Sequence, residues 1–198
     1  FRRVLFRSEG LSNHKFLFTD QDQLNICSVD SINSYMSDIK VDCIINCAAY
    51  TDVRKAEVER EKAFDVNSNG VKNLVAYCEE NNIKLIHFST DYVYNSLNKK
   101  PINEDELIDP QNYYGYSKLI IEQNLKWFSK LKGIRYASLR YFNAAGYDSD
   151  CKKFQVESDP QNLIPLVMEV ALGIRDKLEV FGNDYATRSE EHTSELQS

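Results

Sequence analysis

Positive charge is scarce in this sequence, and so are histidine, glycine, proline and tryptophan. Lys and Arg number 24 against 30 Asp and Glu, a formal net charge of −6. No basic stripe is present, which excludes the electrostatic footprint of a nucleic-acid-binding surface. Only three His occur, at 14, 87 and 192, too few for a His-rich metal site, and no metal is expected. The five Cys are odd in number and form no CxxC pair. That excludes a secreted disulfide framework and points to reduced thiols and a cytoplasmic location. No apolar run approaches the roughly 18 residues of a membrane span. The GxSxG elbow of a serine hydrolase is missing. A glycine-rich phosphate turn is missing too, with only Gly10 upstream of the first apolar run.

What is present suits a globular α/β chain. Of 198 residues, 42% are hydrophobic and 27% charged, enough apolar side chains for a core and too little charge for a disordered chain. The two ends differ from the middle. FRRVLFRS at residues 1–8 and RSEEHTSELQS at 188–198 resemble translated sequencing adapter and are set aside as scars. Residues 9–187 then read as an internal piece of a longer gene, expected to be inactive by itself.

Strands and helices alternate along that piece. Lys15–Thr19 (KFLFT) reads as a strand ending at Asp20. Ser28–Asp38 has Val29, Ile32 and Met36 at helical spacing behind a Ser28 cap. Val41–Cys47 (VDCIINC) is nearly continuous and β-branched, as in a strand buried on both faces. Glu61–Asn81 predicts one long helix with Ala63, Val66, Val71, Leu74, Val75 and Cys78 on its apolar side. Ile83–Ser89 reads as a strand, Pro101–Asn112 as a loop, Tyr114–Lys130 as a helix and Ile134–Phe142 as a strand. Leu163–Leu172 reads as a helix and Lys177–Phe181 as a short strand. This order implies βαβ units and a doubly wound parallel sheet of Rossmann type. Ligands of such sheets bind beyond the carboxyl ends of the strands. The positions to inspect are therefore Asp20, Ala48–Thr51, Ser89–Tyr94 and Phe142–Gly146.

Two of these strand ends carry chemistry. Asp20 could accept hydrogen bonds from an adenosine ribose, although many strands end in Asp. Tyr114 and Lys118, four apart at the start of a helix, share one face. A nearby ammonium favours the tyrosinate and lowers its pKa, so the phenol could act as acid or base near neutrality. At this composition one such pair is expected by chance. Its weight comes from context, because it follows a loop and a buried strand ending in the hydroxyls Ser89 and Thr90. The alternative is a surface Tyr beside a solvated Lys. His87 reads as a satisfied core residue, and Cys43 and Cys47 as packing.

These residues resemble the extended short-chain dehydrogenase/reductase family of NAD(P)-dependent nucleotide-sugar enzymes. FTDQDQLNI, NCAAYTDVRKAE, FSTDYVY and PQNYYG resemble the dTDP-4-dehydrorhamnose reductase branch. SKLIIEQNLKWFS, LRYFNAAG, NLIPLVMEVALG and VFGNDYAT resemble the UDP-glucose 4-epimerase branch. Either one natural protein mixes the two patterns, or two templates were joined at the shared YGxSK stretch. The resemblance implies a catalytic trio of Tyr114, Lys118 and Thr90. It implies cofactor contacts at Asp20, Asn25, Ala48, Ala49, Asn67, Ser89 and Tyr141, with NAD as the cofactor and NADP in the reductase alternative. It implies that Asn143, Asn162, Leu163 and Phe181 hold the nucleotide of a sugar substrate. On this reading residues 9–140 are a partial NAD(P)-binding domain whose first strand and glycine turn are absent, and 141–187 begin a smaller substrate-binding region. A homodimer through Glu61–Asn81 and Tyr114–Lys130 is implied, with no nucleic-acid or membrane partner. Asn25 departs from the reductase pattern, which has Asp there, and Asp52 and Arg54 alter its sugar-contact stretch.

Overall fold

Helix starts and stops in this chain are written into short polar side chains and left-handed residues. The computed structural model describes residues 15–95, 102–142 and 163–179. The chain divides after Phe142 into two units. In the first, helix α1 (Val29–Met36) opens on Ser28, whose hydroxyl accepts from the Ser31 N–H at 3.2 Å. Strand β1 (Cys43–Asn46) follows, then the short helices α2 (Val53–Ala56) and α3 (Arg60–Phe64). Helix α4 (Gly70–Glu80) ends where Asn82 takes a left-handed φ of 54°, and the Ile83 N–H closes back on the Cys78 carbonyl. Strand β2 (Lys84–Thr90) and a 3₁₀ turn (Asp91–Val93) lead to helix α5 (Tyr113–Lys132), and strand β3 (Tyr136–Tyr141) completes the unit.

The three strands form a parallel sheet in the order β1-β2-β3. Register is continuous across the middle strand, with Asn46 opposite His87 on one side and Ser138 opposite His87 on the other. Helices α4 and α5 pack on the sheet through Val71, Val75, Cys78, Leu85, Ile121, Leu125 and Ile134. A second cluster joins α1 to α4 through Ile26, Ile32, Met36 and Leu74. Burial on this scale, about 25 cal/mol per Å² of apolar surface, is what fixes α5 against the strand ends. No helix among the described residues is long and apolar enough to cross a membrane. The four described cysteines, Cys27, Cys43, Cys47 and Cys78, are free thiols.

Several expectations need correction. Lys15–Thr19 forms no ladder: no described strand lies beside it, and Leu17 and Phe18 are exposed. β1 is shorter than Val41–Cys47 and is not buried on both faces, because it is an edge strand in this sheet and Ile45 is exposed. The single helix expected over 61–81 is found without interruption over 60–80, but it carries an unexpected π-helical turn, Asp65–Asn69, between α3 and α4. In the second unit, helix α6 (Leu163–Ala171) stops in a left-handed Gly173 with φ of 71°, and the Ile174 N–H closes on the Glu169 carbonyl. Residues 177–179 form no strand, and the rest of that expected strand lies outside the described residues.

Candidate functional site

The site is built on the start of α5. Asn112 caps this helix, its side-chain oxygen accepting from the Gly115 N–H at 2.8 Å. Gly133, with φ of 73°, ends it, so twenty residues run as one rod. The cap aims the first two turns at the carboxyl end of β2. There the Lys118 ammonium donates to the Phe88 carbonyl at 3.0 Å and is almost wholly buried. Tyr114, one turn earlier, has the Thr90 hydroxyl as a neighbour that favours its ionised form and sets its ring edge-on to Tyr92, centroids 5.9 Å apart. Thr90 also starts the 3₁₀ turn by accepting from the Tyr92 N–H at 3.3 Å. Tyr114, Lys118 and Thr90, separated by up to 28 positions in sequence, therefore meet at one strand end.

Their electrostatics differ from expectation. The Tyr114 phenol is pushed up to about 12, by burial first; the neighbouring Thr90 hydroxyl opposes this, while Asp91 and Tyr92 add to it. The expectation that the neighbouring ammonium makes this phenol acidic is thus not met, because burial wins. Lys118 is itself drawn down to about 8 by burial, against the opposing pull of Glu122 and Cys47. At neutral pH the site holds a protonated phenol beside an ammonium.

The remaining candidates divide by what their side chains already hold. Asn67 is fully buried in the π turn. Its amide oxygen accepts from the Tyr50 N–H at 2.8 Å, and its NH₂ donates to the Tyr50 carbonyl at 3.1 Å and to the Ser117 hydroxyl at 2.9 Å. Ser117 in turn donates to the Tyr114 carbonyl at 2.7 Å. Asn67 therefore ties the segment after β1 to the turn bearing Tyr114. Ser89 points its hydroxyl at Glu122 of α5. Ala48, half-buried, gives its N–H to the Asn46 side chain at 3.0 Å, and Ala49 follows it past the end of β1. Tyr141 is half exposed at the end of β3 and leans on Phe88, centroids 5.0 Å apart. Asp20 and Asn25 lie on exposed turns, Asp20 accepting from the Asp22 and Gln23 N–H groups and Asn25 from the Cys27 N–H. Leu163 begins α6. Asn143, Asn162 and Phe181 lie outside the described residues.

His87 is buried as expected but only half satisfied. The Ala48 N–H holds the Asn46 amide oxygen, so the Asn46 NH₂ faces His87 Nδ1 at 3.2 Å. Nδ1 is then the acceptor and the proton sits on Nε2, which has no hydrogen-bond partner among the described residues. Burial, then the Lys118 charge, draws this imidazole down to about 3, from 6.5. An unfolded chain takes up that proton near 6.5 while the folded one refuses it until about 3. Stability is therefore complete above 6.5 and falls by about 1.4 kcal/mol per pH unit below it, until the folded imidazole also titrates. Urea unfolding at pH 7.5 and 5.5 checks this: the wild type loses about 1.4 kcal/mol in all between the two, and His87→Gln loses less.

Sequence reasoning missed Glu122 and Arg140. Arg140 on β3 donates from Nε and Nη2 to both Glu122 oxygens, the shortest contact being 2.7 Å. A lone Arg inside an apolar strand and a Glu four residues after Lys118 were the available signals.

Comparison with known proteins agrees with this fold. Residues 4–140 match the family model described as the RmlD substrate binding domain. UDP-glucose 4-epimerase from Streptococcus mutans is 38% identical over 148 residues, covering 74% of this chain and 44% of that protein. The crystal structure of UDP-glucose 4-epimerase from Brucella ovis in complex with NAD superposes with a TM-score of 0.75 at 30% identity, covering 92% of this chain and 55% of that one. That of dTDP-4-dehydrorhamnose reductase from Bacillus anthracis in complex with NADP gives 0.63 at 30% identity, covering 70% and 48%. The chain spans about half the length of these relatives. With the parallel sheet, the strand-end site and a family match over more than two-thirds of its residues, the chain belongs to the RmlD substrate-binding-domain family, within the extended short-chain dehydrogenases/reductases.

Proposed function

We propose that this chain carries the catalytic part of a nucleotide-sugar 4-epimerase that interconverts UDP-glucose and UDP-galactose, a step of galactose metabolism. The observation that carries the reading is the meeting of a phenol, an ammonium and a hydroxyl at one strand end. The breadth of the epimerase likeness, 92% of this chain in one solved structure against 70% for the reductase, supports it. When bound, a nicotinamide dinucleotide supplies a hydride acceptor and, in its oxidised form, a positive charge.

The residues present fit such a group. Lys118 is only 1% exposed, yet the Phe88 carbonyl is its one hydrogen-bond acceptor among the described residues. A buried ammonium has three donors and loses stability for each one left without an acceptor. Ribose hydroxyls are acceptors of the right kind. The Asp20 carboxylate and the Asn25 amide serve the adenosine end, with Ala48, Ala49 and Tyr141 as further contacts. Asn67 and Ser89 act through the elements they hold, since their side chains already have partners within the fold.

In its tyrosinate form, which the positive charges of Lys118 and of a bound oxidised nicotinamide would favour against the burial that raises the phenol, Tyr114 would take the proton of the sugar 4-hydroxyl and return it after the sugar has presented its other face. Thr90 hydrogen-bonds the same oxygen and keeps it within reach of the phenol. Lys118 holds positive charge beside the phenol, and Asn143, Asn162, Leu163 and Phe181 hold the nucleotide while the sugar turns. The protein works in the cytoplasm, where its free thiols remain reduced. It does so as a homodimer, for which Tyr116, Trp127 and Leu131 offer an exposed apolar strip along α5.

One observation favours a second reading, an NAD(P)H-dependent dTDP-4-dehydrorhamnose reductase. A phenol held near 12 is a proton donor at neutral pH, as reduction of a 4-keto group requires. One assay on the product of the complete reading frame decides. The epimerase converts UDP-galactose to UDP-glucose with no reduced nicotinamide added. The reductase consumes dTDP-4-dehydrorhamnose and reduced nicotinamide in equal amounts. Turnover of neither substrate overturns both readings.

A further inference from the structure

Three ionised groups lie in the same small volume, and the mechanism above uses only one of them. Glu122 stands four residues after Lys118 and eight after Tyr114, so all three share the side of α5 that faces the sheet. Its side chain is 8% exposed and that of Arg140 18%. Arg140 Nε donates to both carboxylate oxygens at 3.1 Å, Nη2 donates at 2.7 Å, and the Ser89 hydroxyl donates to the same carboxylate. The other arm of Arg140, Nη1, donates to the Tyr94 hydroxyl at 2.6 Å and to the Glu104 carbonyl at 3.0 Å, and the guanidinium lies over the Tyr94 ring. One carboxylate thus ties α5 to β2 and β3, and one guanidinium extends the tie to the segment preceding the α5 cap. Buried ion pairs of this kind are expensive to desolvate and often add nothing to stability, so stability alone does not explain the pair.

We propose that Glu122 and Arg140 are positioning residues for Lys118 and Tyr114: the pair pins the catalytic helix to both neighbouring strands, and its carboxylate provides the counter-charge of the buried ammonium. This deepens the functional reading and rests on it for the word catalytic. The groups facing Lys118 are few. On its own helix they are Tyr114 and Glu122, on β2 His87 and the Phe88 carbonyl, and past β1 Cys47, with Arg140 of β3 acting through Glu122. His87 is neutral and the Cys47 thiol is pushed up by burial, which leaves Glu122 as the one anion facing Lys118 among the described residues.

The pair therefore makes a prediction of sign that a merely structural brace does not. Glu122→Gln leaves two cations, Lys118 and Arg140, without an anion, so Lys118 gives up its proton at lower pH. Arg140→Met frees the carboxylate for Lys118 alone, so the ammonium survives to higher pH. In the 198-residue chain the Lys118 side chain is titrated from pH 6 to 11 by NMR with carbon-13-labelled lysine. The wild-type midpoint lies at about 8. It moves down in Glu122→Gln and up in Arg140→Met, each by about one pH unit. Should either variant fail to fold, Arg140→Lys keeps the charge and leaves the midpoint in place, while Glu122→Leu/Arg140→Met removes both charges and returns it close to wild type. Midpoints that move in the same direction, or not at all, overturn the proposal. So does a double variant that stays displaced. The titration is independent of turnover. An inactive complete protein with a responsive Lys118 would sink the functional reading alone, and an active one with an unresponsive Lys118 would sink this inference alone.

Discussion

In the product of the complete reading frame, Tyr114→Phe is expected to lower turnover by about 10²- to 10⁴-fold, the usual contribution of a positioned general acid or base. The fold survives this change. The aromatic ring keeps its edge contact with Tyr92, and the helix keeps its Asn112 cap. What is lost is a single hydroxyl beside Thr90, a change of about 1 kcal/mol at most. Activity and stability therefore separate by several orders of magnitude. Thermal unfolding of the Phe variant stays within a few degrees of wild type while the rate collapses. Thr90→Val makes the complementary test. It removes the phenol's stabilising partner and the acceptor of the Tyr92 N–H together, so it lowers both rate and stability. A Phe variant that retains a tenth of the wild-type rate would remove Tyr114 from the chemistry and leave it as packing against Tyr92.

The sequence carried the order of elements because apolar spacing changes period cleanly between strand and helix here. The strand IKLIHFS and the helix from Tyr114 are found within a residue or two of their expected bounds. The convergence of Tyr114, Lys118 and Thr90 was legible for the same reason: a residue after a parallel strand and a face of the next helix must lie at the same edge. The π turn was not legible. One extra residue per turn at Asp65–Asn69 shifts the face only locally, and the apolar positions on either side still fit a single helix. Nor was the state of the phenol, which depends on how much water the fold removes and not on which residue stands four positions away. The Glu122–Arg140 pair escaped because its members lie 18 positions apart and each alone reads as solvated charge. The division into a reductase-like and an epimerase-like half is also less sharp than the motifs suggest. The family match runs on to residue 140, and an epimerase match of 148 residues in a chain of 198 necessarily crosses the YGxSK stretch.

Gly115→Ala is expected to damage the protein although every helix scale favours it. Ala exceeds Gly by about 1 kcal/mol in a helix interior. Here the added methyl carbon would overlap the Tyr92 carbonyl oxygen and stand 2.8 Å from its carbon and 3.2 Å from Cβ of Pro110. The first two atoms are backbone, held in the 3₁₀ turn that Thr90 caps, so no rotamer relieves the contact. The start of α5 must move away from that turn. Overpacking of this kind costs about 1–3 kcal/mol. The same displacement separates Tyr114 from Thr90, and a misplacement of about 1 Å at reacting groups costs roughly a hundredfold in rate. Gly70→Ala is the control. Its methyl meets Cγ1 and Cδ1 of Ile26 at 2.8 and 2.9 Å, with the Asp65 carbonyl at 3.3 Å, so the buried Ile26 side chain must repack while the 3₁₀ turn beside Tyr114 is untouched. The helix gain then offsets part of the repacking, and the variant loses stability without moving Tyr114 from Thr90. Urea unfolding of the two variants side by side measures the stability each loses, and turnover of the complete protein measures the displacement. Equal turnover in the two variants, or a Gly115→Ala protein with full activity, would mean that the close approach of helix and turn does not set the position of Tyr114.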